Sequence, residues 1–447
     1  MKILFVNPYI YDFTAYDLWL RPLGLLYLAS VAGTYTGCEI YWLDALDRYR
    51  EGAGVKPGVT GRGKYYREIV EKPEIYGKTP RYYSRYGMPG DSFREKLEKL
   101  PEVDMIFITT LMTYWFEGVR FTLDELVKRF PRAKIVMGGV IPSLMPPVEI
   151  AKHVGTGLSF ISGYGEEKIL KLIEEEGGNV YSNPDLSHID NIPYPAFDLL
   201  TDRKTLPLLT SRGCPFACTY CASNLLNGRF VERTAEKILA EIYHMHETFG
   251  TERFIIFDDA LLVNRRRRFF KVFNELKGKT ALSFHTPNGL HTGKIDAETA
   301  ALLFESGFKT LRLSFESITA DILSKSSNKV TVAEMVQAVD NLENAGYKRG
   351  DIGVYLLFGY PGQKLRDIEQ SLHFVKELGV SPHLSLFSPV PGTVDFNSLQ
   401  RSGVLSTPTD LYETNKIYFL YNKSGFSHDE IKHIKDLSNR IARDINK

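Results

Sequence analysis

The alternation of apolar and polar positions divides the chain into strand–helix repeats. Lys2–Asn7 is a short apolar run stopped by Asn-Pro, which predicts a buried strand and then a loop. Leu23–Tyr35 carries apolar side chains at helical spacing. Further strands are predicted at Glu39–Leu43, Asp104–Thr109, Lys134–Met137 and Leu158–Ile161, with helices at Phe116–Phe130 and Glu166–Glu175. Strands alternating with helices predict an α/β fold with a parallel, doubly wound sheet. Such sheets bind ligands beyond the carboxyl ends of their strands. Those ends are Asn7–Tyr9, Asp44, Thr109–Trp115, Gly138–Pro142 and Gly163–Glu166.

The alternation resumes with strands at Leu206–Thr210, Arg253–Phe257, Ala281–His285, Lys309–Phe315, Asp351–Phe358 and Pro382–Phe387. Helices at Thr234–Phe249, Ala297–Ser306, Val332–Ala345 and Leu365–Leu378 lie between them. Six such units fit a partial barrel of the triosephosphate-isomerase type, whose active site gathers at the carboxyl ends of the strands. There stand a cysteine-rich loop, Asp258-Asp259, Asn288, Glu316, Gly359–Gly362 and Pro389, after strands one to six in turn.

The expected domains are therefore 1–182 and 203–400, joined by a proline-rich linker at 183–202 and followed by a helical extension at 401–447. In that extension Thr409–Tyr421 reads as a helix, and Ser427-His428-Asp429-Glu430 has the form of a capping box. Residues 47–100 form an insertion with little apolar periodicity, rich in Gly, Tyr, Lys and Arg. It reads as a cover over the first domain, its tyrosines packed and its arginines solvated.

A length of 447 residues suits two or three domains, and a net charge of +1 points to no dedicated nucleic-acid surface. The best membrane candidate, Pro22–Tyr35, is shorter than the roughly 20 residues a span needs. Four cysteines, three of them clustered, make no disulfide framework and suit a reducing, cytoplasmic setting. Cys38 reads as a small apolar residue near a turn. The run Arg265–Arg268 reads as a solvated face at a helix start.

The strongest chemical signal is Cys214-Pro215-Phe216-Ala217-Cys218-Thr219-Tyr220-Cys221, with three thiols in a C-x3-C-x2-C spacing. Thiolates suit iron–sulfur clusters, zinc or copper(I). Structural zinc takes four protein ligands, so a zinc site here needs a distant partner such as His244 or His246. Three thiolates on a [4Fe–4S] cluster leave one iron open to an outside ligand, and that is the reading adopted.

This stretch resembles the radical S-adenosylmethionine (radical SAM) superfamily in its spacing and in Tyr220 before the third cysteine. The resemblance implies that Cys214, Cys218 and Cys221 hold the cluster, that its open iron chelates SAM, and that SAM is cleaved reductively to a 5′-deoxyadenosyl radical. It implies that Asp258 or Asp259 meets the SAM amino group and that Asn288 faces SAM or substrate. Arg312 would meet the SAM carboxylate, and Ser314 and Glu316, alternating on one strand face, the ribose. Gly359 and Pro361 would let the backbone approach adenine.

Most of residues 1–190 resembles the cobalamin-binding Rossmann-like domain that precedes many radical SAM cores. The resemblance rests on Arg21-Pro22-Leu23-Gly24 through Ala29, Thr113-Tyr114-Trp115, Met137-Gly138-Gly139 and Gly163-Tyr164-Gly165-Glu166. It implies cobalamin contacts at Asn7, Pro22, Gly24, Thr113, Tyr114, Trp115, Gly138, Gly139, Gly163, Gly165 and Glu166. No histidine precedes His153, so the Asp-x-His-x-x-Gly loop that ligates cobalt in the mutases is missing. The activity implied is methylation of an unactivated carbon or phosphorus centre of a small molecule, with an electron donor such as a flavodoxin or ferredoxin. A radical SAM oxidoreductase or cyclase and a non-catalytic metal- or SAM-binding regulator are the alternatives.

Overall fold

The computed structural model describes residues 1–55 and 60–446; residues 56–59 of the predicted insertion lie outside the described residues. The chain forms two compact units, residues 1–203 with 406–413, and residues 204–405 with 414–447.

In the first unit, β1 (Lys2–Asn7), β3 (Glu39–Asp44), β6 (Met105–Ile108), β7 (Lys134–Met137) and β8 (Ser159–Phe160) form a parallel sheet in the order β3-β1-β6-β7-β8. The central strands are apolar on both faces because both are covered: Ile3 to Val6 and Met105 to Ile108 are all buried. The order reverses at β1, with β3 on one side and β6 on the other. The crevice of such a fold therefore opens beyond Asn7 and Ile108.

The insertion is not a structureless loop. β2 (Ile10–Asp12), β4 (Arg67–Val70) and β5 (Tyr83–Tyr86) form an antiparallel sheet in the order β2-β5-β4, so the insertion pairs with the residues just after β1. Tyr65, Tyr76, Tyr83 and Tyr86 are buried. Arg85 is not solvated: its guanidinium pairs with Glu68 and lies over the rings of Tyr9 and Phe121. Tyrosine did this packing, and that is why little apolar periodicity showed.

Residues 406–413 return to this unit. Leu411 is fully buried in its core, Tyr412 Oη donates to Glu117 Oε1 at 2.9 Å, and Tyr76 Oη donates to the Tyr412 carbonyl at 3.0 Å. The helix expected over Thr409–Tyr421 is accordingly split into a 3-10 turn, Leu411–Thr414, and a helix, Lys416–Asn422. Asn415 makes the break, since its side chain accepts from the amides of Ile417 and Tyr418 as an N-cap.

The second unit contains β9 (Thr205–Leu208), β10 (Ser211–Arg212), β11 (Val231–Glu232), β12 (Arg253–Ile256), β13 (Ser283–His285), β14 (Leu290–His291), β15 (Phe308–Glu316), β16 (Ile352–Phe358) and β17 (Ser381–Leu386). β9, β12, β13, β15, β16 and β17 run parallel in chain order. β9 and β17 are the two ends of this sheet, so the barrel is partial and open. Its helices are capped as their sequences dictate: Thr331 and Glu334 form one capping box, and Ser427 and Glu430 form another at the start of His428–Ile445. Among the described residues, no helix is long and apolar enough to cross a membrane.

Candidate functional site

The cysteine loop runs from β10 to β11, which pair antiparallel and close its base. Asp258, at the end of β12, fastens the root: its carboxylate accepts from Thr210 N (2.8 Å), Thr210 Oγ1 (2.6 Å) and Ser211 Oγ (2.5 Å). Arg268 stands beside it, 3.9 Å from Asp258 and 3.2 Å from Glu232 of β11, and donates to the Leu261 carbonyl. Asp258 is spent on the loop root and does not line the cavity described below. Arg268 is buried rather than solvated, whereas Arg266 and Arg267 are exposed.

Cys214, Cys218 and Cys221 line one cavity of about 380 Å³, together with Phe216, Tyr220, Asp259, Asn288, Gly289, His291, Ser314 and Lys329. A second hollow of about 290 Å³ is lined in part by the same Tyr220, Gly289, Ser314 and Tyr355, and reaches Glu316, Ser385 and Ser388. Burial pushes the Cys214 thiol up, so its ionised form needs a cationic partner. Three soft donors around one hollow of this size fit a multi-iron cluster. His246 is engaged with the Thr251 carbonyl and His244 with Thr248 Oγ1, and neither lines the cavity.

Asp259 faces the cavity where Asp258 does not. Burial raises its pKa, and Ser223 Oγ (2.5 Å) and Asn227 Nδ2 (3.1 Å) both donate to Oδ2. Asn288 donates to the carbonyls of Phe257 and Asp258, which fixes the turn after β13. A Cβ on Gly289 would fall on Ser314 Oγ, so only glycine lets these two strand ends approach. Ser314 and Glu316 both face the hollow. The register of β15 against β16 shifts between them, and Glu316 stands at φ 73°.

Arg312 lines neither cavity; its Nη1 donates to the Leu311 carbonyl. The cation that does face the thiols is Lys329, which sequence reasoning missed. Its Nζ lies 3.2 Å from Glu316 Oε1. Burial pulls this ammonium down, but Glu316 and the Cys218 thiol outweigh it and hold its pKa above the usual value. Ser327 and Asn328, both in the left-handed region, aim the lysine inward, and no sequence signal marks that pair. His291 was missed as well. Burial and Lys329 pull its pKa down to about 4, and its neutral ring lies 4.4 Å from that of Phe216. His285 instead bonds Thr310 Oγ1 and does not line the cavity. Gly359 and Pro361 line neither hollow, and the Tyr360 hydroxyl between them is turned to Asp395.

In the first unit the candidate residues fall into two sets. Gly24 and Gly163 have open space where a Cβ would stand, and Gly138 has only distant neighbours. Behind them Asn7, Pro22, Thr113, Tyr114, Gly165 and Glu166 are buried, and Trp115 Nε1 donates to Asp12 Oδ2 at 3.0 Å. Gly139, at φ 91°, packs too closely on Thr110 for any side chain. Asn7 Nδ2 donates to Asp44 Oδ1 at 2.7 Å, which leaves Asn7 Oδ1 buried with no partner among the described residues. Glycines with open space after β7 and β8 and at the start of the helix Leu23–Tyr35, together with a buried, unsatisfied amide oxygen at the end of β1, fit a large planar group such as cobalamin. His153 packs on Phe116, the rings 5.0 Å apart.

Residues 208–375 match the radical SAM superfamily. The cytidylyl-2-hydroxyethylphosphonate methyltransferase of Streptomyces wedmorensis is 23% identical over 512 aligned positions, covering 100% of this chain and 90% of that one. An uncharacterized methyltransferase of Pyrococcus horikoshii is 26% identical over 327, covering 67% and 70%. The fold is shared with the radical SAM methyltransferase TsrM of Kitasatospora setae, solved with cobalamin and a [4Fe–4S] cluster bound: TM-score 0.65, 14% identity, 90% of this chain and 75% of that one. Residues 208–375 therefore form a radical SAM domain, within a chain that shares its fold with a radical SAM methyltransferase solved with cobalamin bound.

Proposed function

We propose that the chain is a cobalamin-dependent radical SAM methyltransferase acting on an unactivated carbon or phosphorus centre of a small molecule. One observation carries the reading: three thiols, a carboxylate, the acceptors of Ser314 and Glu316 and a buried ammonium gather at the carboxyl-end side of the parallel strands. When bound, the cluster supplies the electron that splits SAM into methionine and a 5′-deoxyadenosyl radical, and cobalamin supplies the methyl group.

The chain's own residues divide the remaining work. Cys214, Cys218 and Cys221 hold the cluster and leave one iron to SAM. Asp259 accepts from the SAM ammonium. Lys329 takes the role expected of Arg312, pairing with the SAM carboxylate. Ser314 and Glu316 bind the ribose hydroxyls, and Gly289 keeps the floor low enough for the ligand to sit against backbone. Phe216 and His291 wall the hollow with two uncharged rings that keep water from the radical. Gly24, Gly138 and Gly163 make room for cobalamin. An electron donor of the flavodoxin or ferredoxin class belongs to this proposal, and the clustered thiols support a reducing, cytoplasmic setting.

Incubation of the anaerobically reconstituted protein with cobalamin, SAM and reductant tests it. Deoxyadenosine and S-adenosylhomocysteine are both expected. Deoxyadenosine alone would overturn methyl transfer, and failure to retain cobalamin would overturn the cofactor assignment.

A further inference from the structure

One carboxylate outside the cavity joins two loops that border the site. Asp395 lies in the first turn of the helix Val394–Arg401, is 8% exposed, and has Thr393 before it as N-cap. Its Oδ2 accepts from Thr219 Oγ1 at 2.8 Å and from Tyr360 Oη at 2.8 Å. Its own amide donates to the Thr219 carbonyl at 3.1 Å. The Thr219 amide in turn donates to the Lys325 carbonyl at 2.9 Å. Thr219 is thus held at its amide, its carbonyl and its hydroxyl, and it stands between Cys218 and Cys221. Tyr360 belongs to the Gly359–Gly362 turn after β16.

We propose that Asp395 is a positioning residue that fixes the spacing of Cys218 and Cys221 and ties the cysteine loop to the turn after β16. The physical grounds are independent of any ligand. A carboxylate in the first turn of a helix is stabilised by the unpaired amides and dipole there. Hydrogen bonds to an ionised acceptor are the stronger kind and hold direction. Tyr360 is buried, and its ring stands edge-on to that of Tyr220 at 6.4 Å, so the turn cannot slide without moving the residue between the last two thiols. Asp258 and Arg268 hold the root of the loop; Asp395 holds its middle, where the ligands are.

The inference rests on the cluster reading and is tested apart from it. Asp395→Ala, Asp395→Asn, Thr219→Val and Tyr360→Phe chains are reconstituted with iron and sulfide, and loss of cluster absorbance to an external chelator is timed. Outer-shell substitutions at metal sites typically weaken binding about 10- to 100-fold. Release is expected to speed up by about that much in Asp395→Ala, less in Thr219→Val, with partial recovery in Asp395→Asn. Tyr360→Phe, which unties the turn after β16 from Asp395, is likewise expected to release its cluster faster than the parent. Melting curves of the cluster-free chains identify any variant that fails to fold, and Thr219→Val, which keeps shape and loses only the hydroxyl, then decides. Release at the parental rate in folded Thr219→Val and Tyr360→Phe would overturn the role of Asp395. Failure of the parent chain to take up a cluster would overturn the cluster reading instead.

Discussion

Lys329 Nζ and Glu316 Oε1 stand 3.2 Å apart, with side chains only 11% and 10% exposed, the lysine lining the cavity of the three cysteines and the glutamate the second hollow beside it. In the proposed function the pair places opposite charges where the zwitterionic amino acid and the diol of SAM would be received. Replacing Lys329 by Met keeps the stem and removes the charge. Charge-assisted hydrogen bonds contribute about 1.5–3 kcal/mol. Lys329→Met is therefore expected to weaken SAM binding by about tenfold or more, read by equilibrium binding to the cluster-loaded chain. Lys329→Arg should recover part of it.

Gly24 separates a cofactor contact from a packing residue. Its backbone is helical and no atom lies within 4 Å of a Cβ placed there, so the fold accepts alanine. Alanine in a helix is favoured over glycine by about 0.5–1 kcal/mol. Gly24→Ala is expected to melt at or above the parental temperature without cofactor while retaining less cobalamin. Equal cobalamin retention would remove Gly24 from the contact surface.

Asp44 carries a pH signature. Burial foremost, then the nearby Asp47 charge, raises its carboxyl from 3.8 to about 7 in the folded chain. The folded state therefore binds the proton more tightly than the unfolded one. Stability is fully present below about pH 4 as far as this group is concerned, falls as the pH rises toward 7, and is level above it, at about 1.4 kcal/mol per pH unit of the window. Urea midpoints between pH 5 and pH 8 should fall for the parent and flatten for Asp44→Asn.

The parts legible in the sequence are those with a regular period. β1, β7 and the helices Leu23–Tyr35 and Glu166–Glu175 follow directly from apolar spacing, as does the order of the strand ends around the cysteine loop. The illegible parts are set by local geometry. The register shift between Ser314 and Glu316 and the positive φ of Glu316 carry no mark in the apolar spacing. Lys329 comes in on two left-handed residues, and Arg268 is buried within a run that reads as solvated charge. Asp258 and Asp259 are adjacent, and only the pairing of the first with Thr210 and Ser211 tells them apart.

The return of residues 406–413 has a consequence for scission of the chain. A cut within 183–202 severs one covalent connection, yet the downstream fragment still carries Leu411 and Tyr412, which complete the core of the upstream one. The nicked halves are expected to co-elute on gel filtration and to part only on denaturation. Leu411→Ala, which removes a buried side chain at a cost of about 2–5 kcal/mol, should let them separate under native conditions. Residues 183–202, expected as a linker, belong to the first unit and bury Ile189, Ile192, Phe197 and Leu200; a barrel exchanged between relatives at that junction alone would leave a hole in its neighbour, so the smallest transferable piece is not contiguous in sequence.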